Sequence, residues 1–313
     1  PGNLRKSEIV KRILSVDPSY KMPSPKSHLE LSSREKAILI KWIQNGAEYK
    51  PHWAFVAPIK KEIPKSAIES KPIDYFISKG LALKNLKFSG SASRNFLLRR
   101  LSFDLTGMPP TVGEIEYFKN DSRANAFEIQ VDRLLASPHF GEKLAAEWLD
   151  LARFADSHGY TIDRIRDMSP YRDWVIQAFN KNMPYDQFIH WQLAGDLMPN
   201  PTKDMRIATA FNRNHQQNTE GGIVEEEFQT EYVMDRANTF GDAFLALTTG
   251  CARCHDHKYD PISQKNYYQL FSFFNNVKEA GQISYNDDMP TPTLLLPTDK
   301  QQAIMDFIQA KIK

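Results

Sequence analysis

EEEFQTEYVMDRANTFGDAFLAL, residues 225–247, is the stretch that decides the fold. Three acids, Glu225, Glu226 and Glu227, open it, where the positive end of a helix dipole favours negative charge. No proline interrupts it, and the pattern predicts the longest helix of the chain over 225–247. Outward from this stretch, helical spacing recurs and strand-like alternation is scarce. Downstream, Ser263 caps an aromatic helix carrying Tyr267, Leu270, Phe271 and Phe274. Upstream, Ser169-Pro170 and Pro184 start two helices with Trp174, Phe188 and Trp191. Residues 139–155 put Leu144, Trp148, Leu151 and Phe154 on one face, and residues 123–136 form another amphipathic segment. Thr111 with Glu114, and Ser32 with Glu35, read as capping boxes. Phe96, Leu97, Leu101 and Leu105 mark a helix that Gly107 closes, and Glu8 to Ser15 form a short one. The fold expected is mainly α, a multi-helix domain with long polar loops over 73–278. Residues 1–50 precede it, joined by a Pro/Lys-rich linker at 51–72, and residues 279–313 begin a further C-terminal region.

Just past the long helix lies Cys251-Ala252-Arg253-Cys254-His255, which holds the only two cysteines in 313 residues. This is the C-x-x-C-H form that attaches a c-type haem. Two intervening residues let both thiols reach one porphyrin edge, and the adjoining imidazole can turn under the iron. Cys251 and Cys254 are therefore the expected covalent anchors of haem c, and His255 the proximal axial ligand. Other uses of the same residues stay open. A redox dithiol would follow a strand, and none is evident. A zinc site needs four ligands, and no second Cys/His cluster stands at ordinary spacing. A disulfide would close a trivially short loop. His257 lies too close in sequence to reach the opposite haem face; it could orient a neighbour, pair with Asp260 or reach a different metal, and a surface or hydrogen-bonded histidine is the expected role.

Two polar stretches interrupt the helices, Asp156 to Ser169 and Asn212 to Gly222. Segments of this length are ordinary connections or functional loops. His215 in the second is the expected distal axial ligand, with His158 and Met234 as rivals. Arg213, Arg236 and Arg253 are the expected partners of haem propionates. Asp156, His158, Asp163, Arg164, Arg166 and Asp167 crowd the first loop, either as a ligand site beside the haem or as a solvated turn. Glu220 with Glu225 to Glu227 could pair carboxylates, but helix-dipole complementarity already accounts for residues 225–227.

Bulk composition narrows the classes further. Hydrophobic content of 41% with 12% aromatics is enough for a real core. Forty basic against 38 acidic residues leave a net charge of +2, which gives no support for a nucleic-acid surface. No apolar run approaches a bilayer span. The chain opens Pro1-Gly2-Asn3, without Met or signal peptide, so a processed form or part of something longer is expected, and haem attachment would make it an exported, periplasmic or extracytoplasmic protein.

Five strings carry a resemblance: Trp148 to Asp156 (WLDLARFAD), Tyr171 to Val175 (YRDWV), Ala194 to Leu197 (AGDL), Glu220 to Ile223 (EGGI) and Cys251 to Ile262 (CARCHDHKYDPI). In this order they resemble a planctomycete-type family carrying a domain of unknown function. Residues 1–50 resemble the tail of the small α-helical cytochrome c domain that precedes it in such proteins. Met22-Pro23-Ser24-Pro25 sits where that domain places its methionine axial ligand, and Trp42 to Glu48 matches its last helix. The C-x-x-C-H of that domain is absent here and would lie upstream of Pro1. The resemblance implies the cofactor, haem c; with the motif, the reading is an exported c-type cytochrome exchanging electrons with redox partner proteins and serving an oxidoreductase activity of the full-length protein. Missing regions would carry any membrane-associated complex. It brings no established reaction. Two other readings remain: a non-redox binding or structural module of a periplasmic polymer-degrading system, with zinc or structural haem, and a haem enzyme with an open iron.

Overall fold

The computed structural model describes residues 2–64, 71–283 and 292–312. Residues 65–70 of the expected linker and 284–291 of the expected C-terminal region lie outside them. Among the described residues there are thirteen α-helices and no strand, only two isolated bridges, Ser157 with Ile165 and Asn218 with Gln282. The mainly α class is as expected. The chain forms two compact units, residues 1–90 and 91–313.

The first unit holds α1 (Glu8–Leu14), α2 (Ser33–Gln44) and α3 (Pro72–Ala82). The expected box starts α2: Glu35 N donates to Ser32 Oγ at 3.2 Å and Ser32 N to Glu35 Oε2 at 2.7 Å. Each orphan amide so satisfied stabilises the helix start by about 1 kcal/mol. Val10, Ile13 and Ile43 are its buried side chains, while Met22 is 45% exposed.

The second unit begins with α4 (Arg94–Thr106), α5 (Val112–Asn120) and α6 (Ala126–Leu135), packed on Leu98, Phe118 and Ala126. Gly107 ends α4 at φ +71°, the left-handed cap expected there. The main core is built by α7 (Pro138–Leu151), α8 (Ser169–Asn180), α9 (Tyr185–Ala194) and α10 (Lys203–Ala208). Gly141 lets α7 and α8 touch: a Cβ there would lie 2.4 Å from the Ile176 carbonyl oxygen. Trp148 sits among Phe188, Phe211 and Phe244, its centroid 4.9 Å from that of Phe188. Burying a side chain of this class stabilises by about 1.5–3 kcal/mol. Its indole N–H would be costly unpaired, and Gln192 Oε1 accepts it at 2.9 Å and the Tyr171 hydroxyl at 2.7 Å.

The long helix is shorter than expected. α11 runs over Glu225–Phe240 and passes into a π turn at Gly241–Leu245. The turn follows from crowding: a Cβ on Gly241 would meet the Thr249 side chain at 2.6 Å. A 3-10 turn at Thr249–Arg253 leads to α12 (Gln264–Phe274), with Ser263 as N-cap. Ser169 proves helical itself, with Met168 as N-cap, so Pro170 stands one place further into α8 than its pattern suggests. The last helix, α13 (Asp299–Ile312), was not foreseen and buries no residue.

Candidate functional site

Two helices, α11 and α12, position the Cys251 to His255 turn. Ala252 is fully buried against Ala237 of α11 and Tyr267 of α12, with Ile262 and Leu270 around them. Anchoring the middle of the turn inward leaves Cys251 and Cys254 exposed, and both are free thiols. Arg253 pairs with Glu231 of α11 at 2.7 Å. Its carbonyl accepts from Gln264 Nε2 and the Tyr268 hydroxyl, each at 3.1 Å, which ties the turn to α12. Asp256 Oδ1 accepts from Gln264 N at 2.8 Å, at the start of the same helix.

The His255 ring is exposed, and its Nδ1 lies 2.8 Å from the Asp256 carbonyl oxygen. A carbonyl can only accept, so Nδ1 carries the proton and neutral Nε2 keeps its lone pair. This is how metal-binding histidines are commonly prepared, the second nitrogen being held by a backbone oxygen. His257 is set the other way. Its Nδ1 accepts from Asp260 N at 2.9 Å and lies 3.4 Å from Asp260 Oδ2, so it is a hydrogen-bonded histidine.

Haem c asks this chain for two free thiols and one imidazole nitrogen, and the turn offers all three. Among the described residues no three His, Cys, Asp or Glu side chains gather as a metal-holding group.

The remaining expected residues gather elsewhere. His215 is 1% exposed, with Nδ1 3.5 Å from Arg236 Nη2 and Nε2 3.5 Å from Glu279 Oε2. Arg213 and Arg236 both pair with Glu279, so its carboxylate is clamped by two guanidiniums beside the His215 ring. The Tyr232 ring packs against that ring, tilted by 43° with centroids 4.5 Å apart. Burial, then Arg236 and Arg213, hold the His215 imidazole well below its usual range, so it is neutral. Arg253 stands apart from this group on Glu231, and Met22 belongs to the first unit.

The two polar stretches form one layer. Gln217 N donates to the His158 carbonyl at 3.0 Å, and Thr219 Oγ1 to the Ile162 carbonyl at 3.3 Å. Arg166 Nη1 reaches the carbonyls of Arg213 and His215 and Gln217 Oε1, all within 3.0–3.2 Å. Sequence reasoning missed Glu279, placed at a domain edge, and the ion pair of Arg153 with Asp235 at 2.7 Å. No local pattern marks either one.

Residues 72–279 match the family described as PSCyt2, protein of unknown function (DUF1549). The chain belongs to that family. The PSCyt2 match covers the Cys251 to His255 turn, both polar stretches and Glu279, and the family is a cytochrome-associated one. Searches of curated proteins and of solved structures found no match. Among the described residues no helix is long and apolar enough to cross a membrane.

Proposed function

We propose that this PSCyt2 domain carries haem c on Cys251 and Cys254, with His255 Nε2 as axial ligand. The single observation that carries the reading is the 2.8 Å approach of His255 Nδ1 to the Asp256 carbonyl oxygen, beside two exposed free thiols. When bound, the group would supply one-electron chemistry. The chain's own part is mechanical and electrostatic. Ala252 fixes the turn, the Arg253 carbonyl and Asp256 bind it to α12, and the Asp256 carbonyl orients the ring. Both tethers lie at the surface, within reach of a redox partner protein. Electron transfer for an exported, periplasmic oxidoreductase is the function this supports. In the same reading residues 1–50 are the tail of a cytochrome c domain, and Met22 serves a haem carried upstream.

The proposal does not use His215 as second axial ligand, because Arg236 and Glu279 occupy both sides of its ring. Arg213 and Arg236 are likewise committed to Glu279. The test is intact-mass measurement of the chain produced with a c-type maturation system, with a reduced-minus-oxidised spectrum. One covalent haem and a sharp c-type α band are expected. An unmodified mass, or the two sulfurs bridged to each other, would sink the reading.

A further inference from the structure

A cavity of about 1330 Å³ opens in the second unit, beneath the layer made by the two polar stretches. Small-molecule sites usually run to roughly 300–1,000 Å³, so it is large enough for a substantial organic ligand. Cys251, Cys254 and His255 do not line it. α12 links the two places: Gln264 and Tyr268 bind the cysteine turn, while Leu270 and Phe274 face the cavity.

The wall is two-sided. Leu193, Ile207, Phe240, Leu270 and Phe274 make an apolar side. Arg166, Arg213 and His158 make a cationic and polar side. Glu279 serves Arg213 and Arg236, Asp235 serves Arg153, and among the described residues no carboxylate pairs with Arg166. Arg166 Nη1 is used up by three oxygens, yet its Nε is buried without a partner. Burial, then Arg213 and Arg153, press its pKa down to about 10, the mark of a guanidinium held among like charges. His158 is 8% exposed, and its Nδ1 is also buried without a partner. The acids on the wall are Asp167, whose Oδ1 accepts from Ser169, and Asp196. Buried polar atoms left unpaired are costly, and a guanidinium at the cavity wall with no carboxylate beside it among the described residues favours an anion.

We propose that this cavity binds an organic carboxylate with an apolar body, the carboxylate meeting the Arg166 guanidinium and the body lying on the Leu193, Ile207 and Leu270 side. Planar guanidinium recognition suits a carboxylate, and the apolar side excludes a bare inorganic anion as the preferred occupant. The site is separate from haem attachment and does not depend on it.

Calorimetric titration of the full chain with 2-naphthoate, and with uncharged 2-naphthamide, tests the proposal. The carboxylate should bind one to one and at least about tenfold more tightly than the amide. Arg166→Gln should remove that preference. Val277→Trp, which puts a bulky ring on the cavity wall, should abolish binding of both probes while thermal unfolding stays unchanged. It keeps the test sharp should Arg166→Gln fail to fold. Equal binding of the two probes, no binding, or unaltered binding in Val277→Trp would overturn the proposal. The Cys251→Ser, Cys254→Ser double variant separates the two functional readings, since naphthoate should bind it as it binds the parent. Binding that competes with haem attachment would also overturn the proposal, because the cavity would then be the haem's own seat.

Discussion

At the scale of single residues, one carbonyl separates His255 from His257. Asp256 O makes Nδ1 of the first a donor, and Asp260 N makes Nδ1 of the second an acceptor. Their types and near-adjacent positions look alike in sequence, and only the backbone path of the turn divides their roles. The proposed haem anchors rest on sequence, because two cysteines and a histidine at this spacing have few uses, and both thiols are free and exposed. Cys254→Ser should leave haem on one thioether or absent, read as loss of the doubly attached species by mass and by haem staining under denaturing conditions. An unchanged doubly attached product would contradict the assignment. His215 gives a second expectation. Burial and the Arg236, Arg213, Arg153 and Arg166 charges outweigh the nearby Glu279 and keep it neutral in the folded chain. Above about pH 6.5 both folded and unfolded imidazoles are neutral, and stability is indifferent to this group. Below that the unfolded chain takes up a proton that the folded chain refuses. Stability should then fall by about 1.4 kcal/mol per pH unit until the depressed folded value is reached. His158, lowered first by burial, adds to the same slope with the same sign. Urea unfolding at a series of pH values should show a shallower slope in His215→Gln. An identical slope would place the proton uptake elsewhere.

At the scale of elements, helix starts were the most legible part of the fold. Ser32, Thr111 and Ser263 all cap as their side chains predict, since capping is local chemistry over four residues. The end of α11 was not legible. Phe244, Leu245 and Leu247 continue an apolar pattern past Phe240, and Gly241 alone does not stop a helix. What stops it is contact with the turn that follows. A Cβ at Gly241 would fall 2.6 Å from Thr249 Oγ1 and 2.9 Å from the Leu247 carbonyl oxygen. Thr249 opens the 3-10 turn that carries Cys251, so this glycine sets the seat of the haem motif. Gly241→Ala should cost about 1–3 kcal/mol as an overpacked site, measured by thermal or urea unfolding. The yield of covalent haem should drop with it, because the turn must shift to admit the methyl group. A variant as stable as the parent would mean that the π turn is not imposed by this contact.

At the scale of the whole second unit, the buried polar layer owes nothing to local pattern. Its bonds join residues far apart in sequence: Arg166 to Arg213, Thr219 to Ile162, Asn214 Nδ2 to the Ala152 carbonyl at 3.0 Å. Periodicity finds faces of helices, and it cannot find two loops that complete one another. The segment 279–283 shows the same limit. Sequence reading set a boundary at 278, and the family match ends at 279. Yet Glu279 is clamped by Arg213 and Arg236, its carbonyl accepts from Gln229 Nε2 at 2.8 Å, and the Gly281 carbonyl accepts from the Tyr232 hydroxyl at 2.6 Å. Ile283 N then donates to the Asn218 carbonyl at 2.8 Å, and its side chain is 5% exposed. Removing this segment strands two buried guanidiniums, and breaking a buried ion pair by losing one partner costs about 3–5 kcal/mol. That is a large share of the roughly 5–15 kcal/mol by which a domain is stable. A chain ending at Lys278 should therefore unfold early and without a sharp transition, while one ending at Ile283 keeps the cooperative unfolding of the parent. Denaturant curves of the two would decide it: equal midpoints would show that the domain closes before Glu279, and that the clamp around its carboxylate carries no stability.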